Sequence, residues 1–348
     1  MADFKELLLI HYRKYPRLEI EDIFKFIYQG ALGCEHMVTS LDTAIERIKD
    51  ECLGNSYTSE PFIEELSLDF CRVHLSCLST GVDAETLGKM FLLSSKEQGS
   101  WELEKMLTET EELISQGDLK LSLDEFKKKA AEWCKDGYPA LHHSKAFNSL
   151  YKPKYRVIAK KYIPFLPLLA KIDTLKKQGN LTVAIEGGSA SGKTTLAALL
   201  SEIYDSTIFH MDDFFLPPEK RTESRLCEIG GNVDRERFLD EILLPLSQGK
   251  EIKYRPFDCS TKEFKEGISL TPKSIVFVEG VYSMHPSLAE YYDLSVFLDI
   301  DADKQRNRIL KRNSPPLASK FFDLWIPLEN RYFEGTNAKD RCDLIIKI

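Results

Sequence analysis

Eight consecutive residues, Gly187-Gly188-Ser189-Ala190-Ser191-Gly192-Lys193-Thr194, satisfy the pattern G-x-x-x-x-G-K-[ST]. Small residues let a backbone wrap closely around a polyphosphate. Successive N–H groups and the N-terminus of the following helix then point at its negative oxygens. The Lys193 ammonium reaches the outer phosphates, the Thr194 hydroxyl ligates Mg²⁺, and Thr195 continues the run into the helix. A glycine-rich turn can meet such a pattern by chance, but the flanking residues argue for the functional reading. The segment "LTVAIE" reads as a buried strand entering the loop. "TTLAALLSEIY" reads as a helix leaving it, with Leu196, Leu199 and Leu200 on one face. The chemistry this implies is the binding of ATP with Mg²⁺.

Three further groups bear on what is done with the nucleotide. In "HMDDFFLPP", Asp212 and Asp213 stand just beyond the end of a second strand, where parallel sheets bind ligands. A carboxylate there accepts the proton of a substrate hydroxyl and orients its oxygen toward the γ-phosphate; the alternative is a helix cap or a solvated turn. The neighbouring Phe214 and Phe215 are either a wall of the acceptor pocket or core. Glu279 ends the apolar run "SIVFVEG", placed to hold Mg²⁺ directly or through water. Arg308 and Arg312 are four apart on one helix face, from which both can stabilise a transferring phosphoryl group; the alternative is a solvated basic face. The guanine-reading motif N-K-x-D does not occur.

These residues need a scaffold, and the pattern after residue 180 supplies one. Buried strands at Leu181–Ile185, Thr207–His210, Ser274–Val278 and Leu294–Leu298 alternate with amphipathic helices at about 193–204, 234–246, 302–312 and 319–332. That order predicts an α/β fold, a parallel sheet of the P-loop NTPase type flanked by helices. Residues 1–150 read instead as a mainly α-helical domain. Leu41, Ala44, Ile45 and Ile48 follow the possible cap Ser40, and Leu103, Met106, Leu107 and Leu113 form a second stripe. Leu66–Leu75 alternates like a strand, which would stand alone in a helical domain. Residues 151–180 read as linker and helix. The basic, tyrosine-rich stretch from Lys145 to Lys161 is expected to be a solvated helix that packs its tyrosines inward, with a phosphate contact as the alternative.

Charge divides the same way. Of 348 residues, 1–150 carry 17 Lys and Arg against 27 Asp and Glu, whereas 151–348 carry 30 against 28. The acidic half argues against a nucleic-acid surface, and the balanced half suits an anionic ligand. Eight cysteines without a Cys-x-x-Cys pair read as reduced thiols. No run approaches the roughly 18 apolar residues that span a bilayer, and the N-terminus lacks the long apolar core of a secretory signal. A cytoplasmic protein without membrane association is expected.

Residues 181–348 resemble the uridine kinase and phosphoribulokinase branch of the P-loop kinases. The resemblance rests on "GGSASGKTT", on Asp212 in "DDFF", on "NVD" with Asp234, on Tyr254 after the next strand, on "VEG" with Glu279, on "DIDAD" before the arginine helix, and on "CDLII" as a closing strand. It implies that Asp212 is the catalytic aspartate and that Asp234 and Tyr254 hold the acceptor, with Asp213 and Phe215 the further acceptor-side candidates read from the residues themselves. Where uridine kinases follow that tyrosine with an aspartate and a histidine-bearing loop, this chain reads "YRPFDC", placing the candidate Asp258 four residues on. Their Glu-Arg-Gly-Arg lid is replaced by "NSPPLASKFF", which leaves Lys320. The expected activity is phosphoryl transfer from ATP to a hydroxyl of a small nucleoside-like or sugar-like molecule, possible in a homo-oligomer. The alternative is a nucleotide-dependent switch or ATPase that regulates the N-terminal domain. The polar candidates of that domain are Glu35-His36, Arg72, His74 and His142-His143. They lack metal-ligand helical spacing and are expected to be structural.

Overall fold

The computed structural model describes residues 3–34, 38, 40–52 and 62–348. The candidates Glu35 and His36 lie outside the described residues. The chain divides into two compact units, Met1–Ala170 and Lys171–Ile348.

The first unit is built from helices Phe4–Lys14, Ile20–Leu32, Leu41–Cys52, Ala84–Ser94, Leu103–Gln116, Leu123–Lys135 and Lys145–Tyr151. The two helical stripes read from sequence fall within them: Ala44 and Ile48 are buried on one, Met106, Leu107 and Leu113 on the other. The strand read at 66–75 does not stand alone. It is β2 (Phe70–His74), the centre of an antiparallel sheet between β1 (Ile63–Glu65) and β3 (Tyr155–Ala159). Strand β3 corrects the reading of the basic stretch as one helix. Lys152, with φ 43°, ends the helix Lys145–Tyr151 in a left-handed turn just before Pro153, which cannot continue it. The residues that follow pair with β2 instead. Their cations bind one acid on helix Leu41–Cys52, with Lys154 donating to the Glu51 carbonyl and Arg156 forked onto its carboxylate.

At the centre of β2 stands Arg72, fully buried. Its guanidinium donates to Glu64 at 2.9 Å and to Gln29 Oε1 at 2.9 and 2.8 Å, and lies 4.6 Å from the Tyr155 ring centroid. His143 joins Asp22 to the Tyr155 hydroxyl, while His11 and His74 face Glu64. Burial lowers His11 and His143 to about 4, so both are neutral at physiological pH and serve as hydrogen-bonding members of the network. Removing Arg72 would leave Glu64 as a buried charge without its main partner. Arg72→Ala is therefore expected to destabilise the first unit by about 3–5 kcal/mol. Chemical denaturation followed by circular dichroism checks this, and a loss below about 1 kcal/mol would show that the network is dispensable.

The second unit contains β4 (Leu181–Gly187), β5 (Ser206–His210), β6 (Ile252–Tyr254), β7 (Phe257–Asp258), β8 (Glu263–Phe264), β9 (Ile268–Leu270), β10 (Ile275–Glu279), β11 (Leu294–Asp299) and β12 (Leu344–Lys347). Five form the main sheet in the order β12-β11-β4-β10-β5, every pair parallel. The others form two small ribbons, β6 with β9 and β7 with β8. Every residue of β4 is buried, as a central strand covered on both faces requires. Helices Lys193–Ile203 and Ala302–Arg312 match the sequence reading closely. The helix read at 319–332 is part of a longer run: Pro315–Lys320, a π turn at Phe321–Trp325, and Ile326–Thr336. Among the described residues, no helix is long and apolar enough to cross a membrane.

Parallel pairing carries the carboxyl ends of β4, β5 and β10 to one edge. The register sets Glu279 opposite Ile185 on one side and His210 on the other. Beneath that edge, Phe209, Met211, Phe214, Phe238, Tyr254 and Val278 form a packed core.

Candidate active site

The phosphate loop leaves β4 through Gly187 at φ 148°, where an added Cβ would stand 2.7 Å from the Leu298 carbonyl oxygen. Ala190 at φ 59° and Gly192 at φ 103° complete the wrap, and Lys193 opens the helix. Positive φ at three of these positions turns the chain around a central hollow, as an anion-binding loop demands. Lys193 is buried and folds back to donate to the Gly188 carbonyl at 3.0 Å. Thr194 and Thr195 are exposed.

Two oxygens that suit a hard cation meet at the mouth of the loop. The Thr194 hydroxyl donates to Glu279 Oε1 at 3.0 Å. The pair fits Mg²⁺, which takes one or two protein oxygens and fills its remaining positions with phosphate and water. The same Oε1 accepts from His210 Nδ1 at 2.6 Å, and this bond to Glu279 is the main reason the imidazole is raised above its usual range. The sequence reading passed over His210. Its signal is position: it is the last residue of β5, two before Asp212.

Asp212 and Asp213 follow β5 in a short 3-10 turn. Asp212 is open to solvent on one side, yet enough protein surrounds it that desolvation raises its carboxyl above the usual range. Lys193 opposes the rise, and Glu279 adds to it. Asp213 is raised for the same first reason, with His210, Lys265 and Arg237 opposing. The structure therefore places Lys193, Glu279, His210 and Asp213 within electrostatic reach of Asp212, with Thr194 and His210 both bonded to Glu279.

The residues expected to hold the acceptor have other commitments. Asp234 is buried, accepts from Lys220 Nζ at 2.8 Å, and caps the helix starting at Arg235. Tyr254 is a core residue whose ring stacks on Phe214 at 5.6 Å and meets Phe209 edge-on. Phe214 is fully buried and carries Arg237 over its face; Phe215 is half-buried and bridges to Val233. Asp258 closes its own turn, accepting from the Ser260 N–H and hydroxyl at 2.8 and 2.5 Å and pairing with Lys265. Arg308 donates to the carbonyls of Ala190 and Ser191 at 3.1 and 3.3 Å, so it braces the phosphate loop from outside. Arg312 and Lys320 are exposed.

Two further carboxylates, both missed from sequence, lie against the loop. Glu186, the last residue of β4 before Gly187, accepts from the N–H groups of Gly187 and Met284 and from the Tyr332 hydroxyl. Burial raises it to about 7. Glu329, on helix Ile326–Thr336, accepts from the Ser189 N–H at 2.8 Å and from its hydroxyl. Burial raises it too, with Ser189 and Lys193 opposing.

Residues 182–315 match the model of the Phosphoribulokinase / Uridine kinase family. The match lies within the second unit and takes in the phosphate loop, Asp212, Asp234, Tyr254, Glu279, Arg308 and Arg312. Among similar proteins, a uridine kinase of Staphylococcus epidermidis is 27% identical over 190 residues, covering 47% of this chain and 86% of its own. One of Anoxybacillus flavithermus is 25% identical over 192 residues, covering 48% and 85%. A solved structure described as a possible uridine kinase from Bacillus stearothermophilus is 24% identical over 51% of this chain and 98% of its own, with a TM-score of 0.39. The similarity to uridine kinases thus falls on the second unit, the one that carries the phosphate loop and the parallel sheet.

Proposed function

We propose that the second unit is an ATP- and Mg²⁺-dependent kinase that phosphorylates a hydroxyl of a small nucleoside-like or sugar-like molecule. The observation that carries this reading is the gathering of Asp212 with Lys193 and Glu279 at the mouth of the loop. A carboxylate for the acceptor stands beside a cation for the phosphates and an acid for the metal. A nucleotide switch has no need of the first.

In this reading the loop amides from Gly187 to Thr195 and the Lys193 ammonium hold the polyphosphate, and Lys193 exchanges its bond to the Gly188 carbonyl for one to a phosphate oxygen. Thr194 and Glu279 hold Mg²⁺, which neutralises charge on the phosphate oxygens when bound. His210 holds the Glu279 carboxylate in place for that role. Asp212 accepts the acceptor's proton and aims its oxygen; desolvation makes it a stronger base than a solvated aspartate. Asp213 and Phe215 line the acceptor side, with Asp234, Tyr254 and Asp258 shaping its wall from their caps and core positions. Arg308 fixes the loop, and the transferred group is assigned to Arg312.

The test is an acceptor screen read by coupled ADP formation, using nucleosides, ribose derivatives and vitamins. ADP release that rises with one class of alcohol and yields its phosphate ester is expected. Slow hydrolysis indifferent to every alcohol offered would overturn the reading in favour of a switch.

A further inference from the structure

The phosphate loop already holds a carboxyl group of this chain. Ser189, in the middle of the loop, gives its backbone N–H to Glu329 Oε2 at 2.8 Å and its hydroxyl to Glu329 Oε1. A Cβ added at Gly188 would stand 3.5 Å from the same carboxylate, so Glu329 lies against the loop backbone itself. The residue is 5% exposed. Donors of this kind, successive N–H groups turned toward one hollow, are those the loop presents to a polyphosphate. A carboxylate and a phosphate oxygen cannot both take the Ser189 N–H, and two negative charges brought to hydrogen-bonding distance of one donor repel each other.

We infer that Glu329 is a resident occupant of the phosphate loop, an internal competitor that must leave Ser189 before a nucleotide's polyphosphate is fully held. This rests on the reading of residues 187–194 as a nucleotide-binding loop, not on the identity of the acceptor. The helix bearing Glu329 is built to report the exchange. One turn on, Tyr332 donates to Glu186 Oε2 at 2.9 Å, so the helix is tied both to the loop and to the strand that enters it. On its N-terminal side lies the π turn Phe321–Trp325, an irregular segment of the kind that accommodates a shift of a helix. Gln305 steadies the loop from another helix by donating to the Ser189 carbonyl at 2.8 Å, a contact made independently of Glu329. Glu329 therefore sets how tightly the loop takes polyphosphate, and it couples loop occupancy to the segment from Pro315 to Thr336.

The experiment is calorimetric titration of the full chain with ATP, ADP and adenosine, comparing the parent with Glu329→Ala and Glu329→Gln. Losing a charged competitor is expected to tighten ATP and ADP binding about tenfold in Glu329→Ala, and less in Glu329→Gln, which keeps an acceptor oxygen. Adenosine, which brings no phosphate, is expected to bind all three proteins alike. Unchanged or weaker ATP binding in both variants would overturn the inference, as would an equal gain for adenosine. Thermal melting establishes that the variants fold. If Glu329→Ala does not, Ser189→Ala decides: it removes the hydroxyl half of the clasp and is expected to tighten ATP binding, and no gain overturns the inference. Failure of the parent itself to bind ATP would instead overturn the nucleotide-binding reading, and this inference with it.

Discussion

Asp212→Asn is expected to lower turnover by about 10²–10⁴-fold while ATP binds with unchanged affinity. The change is nearly isosteric and removes only the capacity to take a proton. Asp212 lies beside the phosphate loop without belonging to it, on the turn after β5. Its electrostatic neighbours, Lys193 and Glu279, belong to the nucleotide and metal side, so the variant separates acceptor chemistry from nucleotide binding. Turnover should be measured at saturating ATP and acceptor, with ATP affinity measured directly by calorimetry. Normal turnover would remove Asp212 from its role. A loss of ATP affinity equal to the loss of turnover would make it part of the nucleotide site.

Lys193→Ala is expected to act on both quantities at once, with kcat/KM falling about 10³-fold and ATP affinity falling with it. The ammonium is the one loop cation aimed inward, buried and held 3.0 Å from the Gly188 carbonyl. Its removal takes away a charge that acts in a desolvated setting on the nucleotide's outer phosphates. Lys193→Arg should not restore function, because a planar guanidinium cannot fold back into a space shaped for a compact ammonium. Circular dichroism of the variant should match the parent, since the sheet does not depend on this side chain. Retained ATP affinity in Lys193→Ala would count against the loop as the phosphate site.

The contrast between Lys193 and the arginines is instructive. The spacing of Arg308 and Arg312 placed both on one helix face, which is correct, but a shared face does not specify a target. Folded against the loop, Arg308 meets the carbonyls of Ala190 and Ser191. Asp234 and Tyr254 show the same limit. The resemblance assigns them to the acceptor but does not reveal their packing: in the folded chain one caps a helix and pairs with Lys220 while the other packs on Phe214. The error over residues 155–159 had a local cause, a basic, tyrosine-rich run that resembles a solvated helix face. Pairing with β2 overrode that appearance.

What the sequence determined by itself is the part whose physics is local. The loop needs small residues at fixed offsets, a buried strand before it and a helix after it, and all of these lie within about 25 consecutive residues. The parallel α/β order follows equally from periodicity along the chain. Tertiary structure alone decided which side chains from distant segments converge on that loop. Glu329 reaches Ser189 across 140 positions of sequence, and His210 reaches Glu279 across 69. Those meetings depend on strand order and on the register of β10 between β4 and β5. Neither is written in any short run of residues, because each is selected by the burial of whole strands and helices against one another.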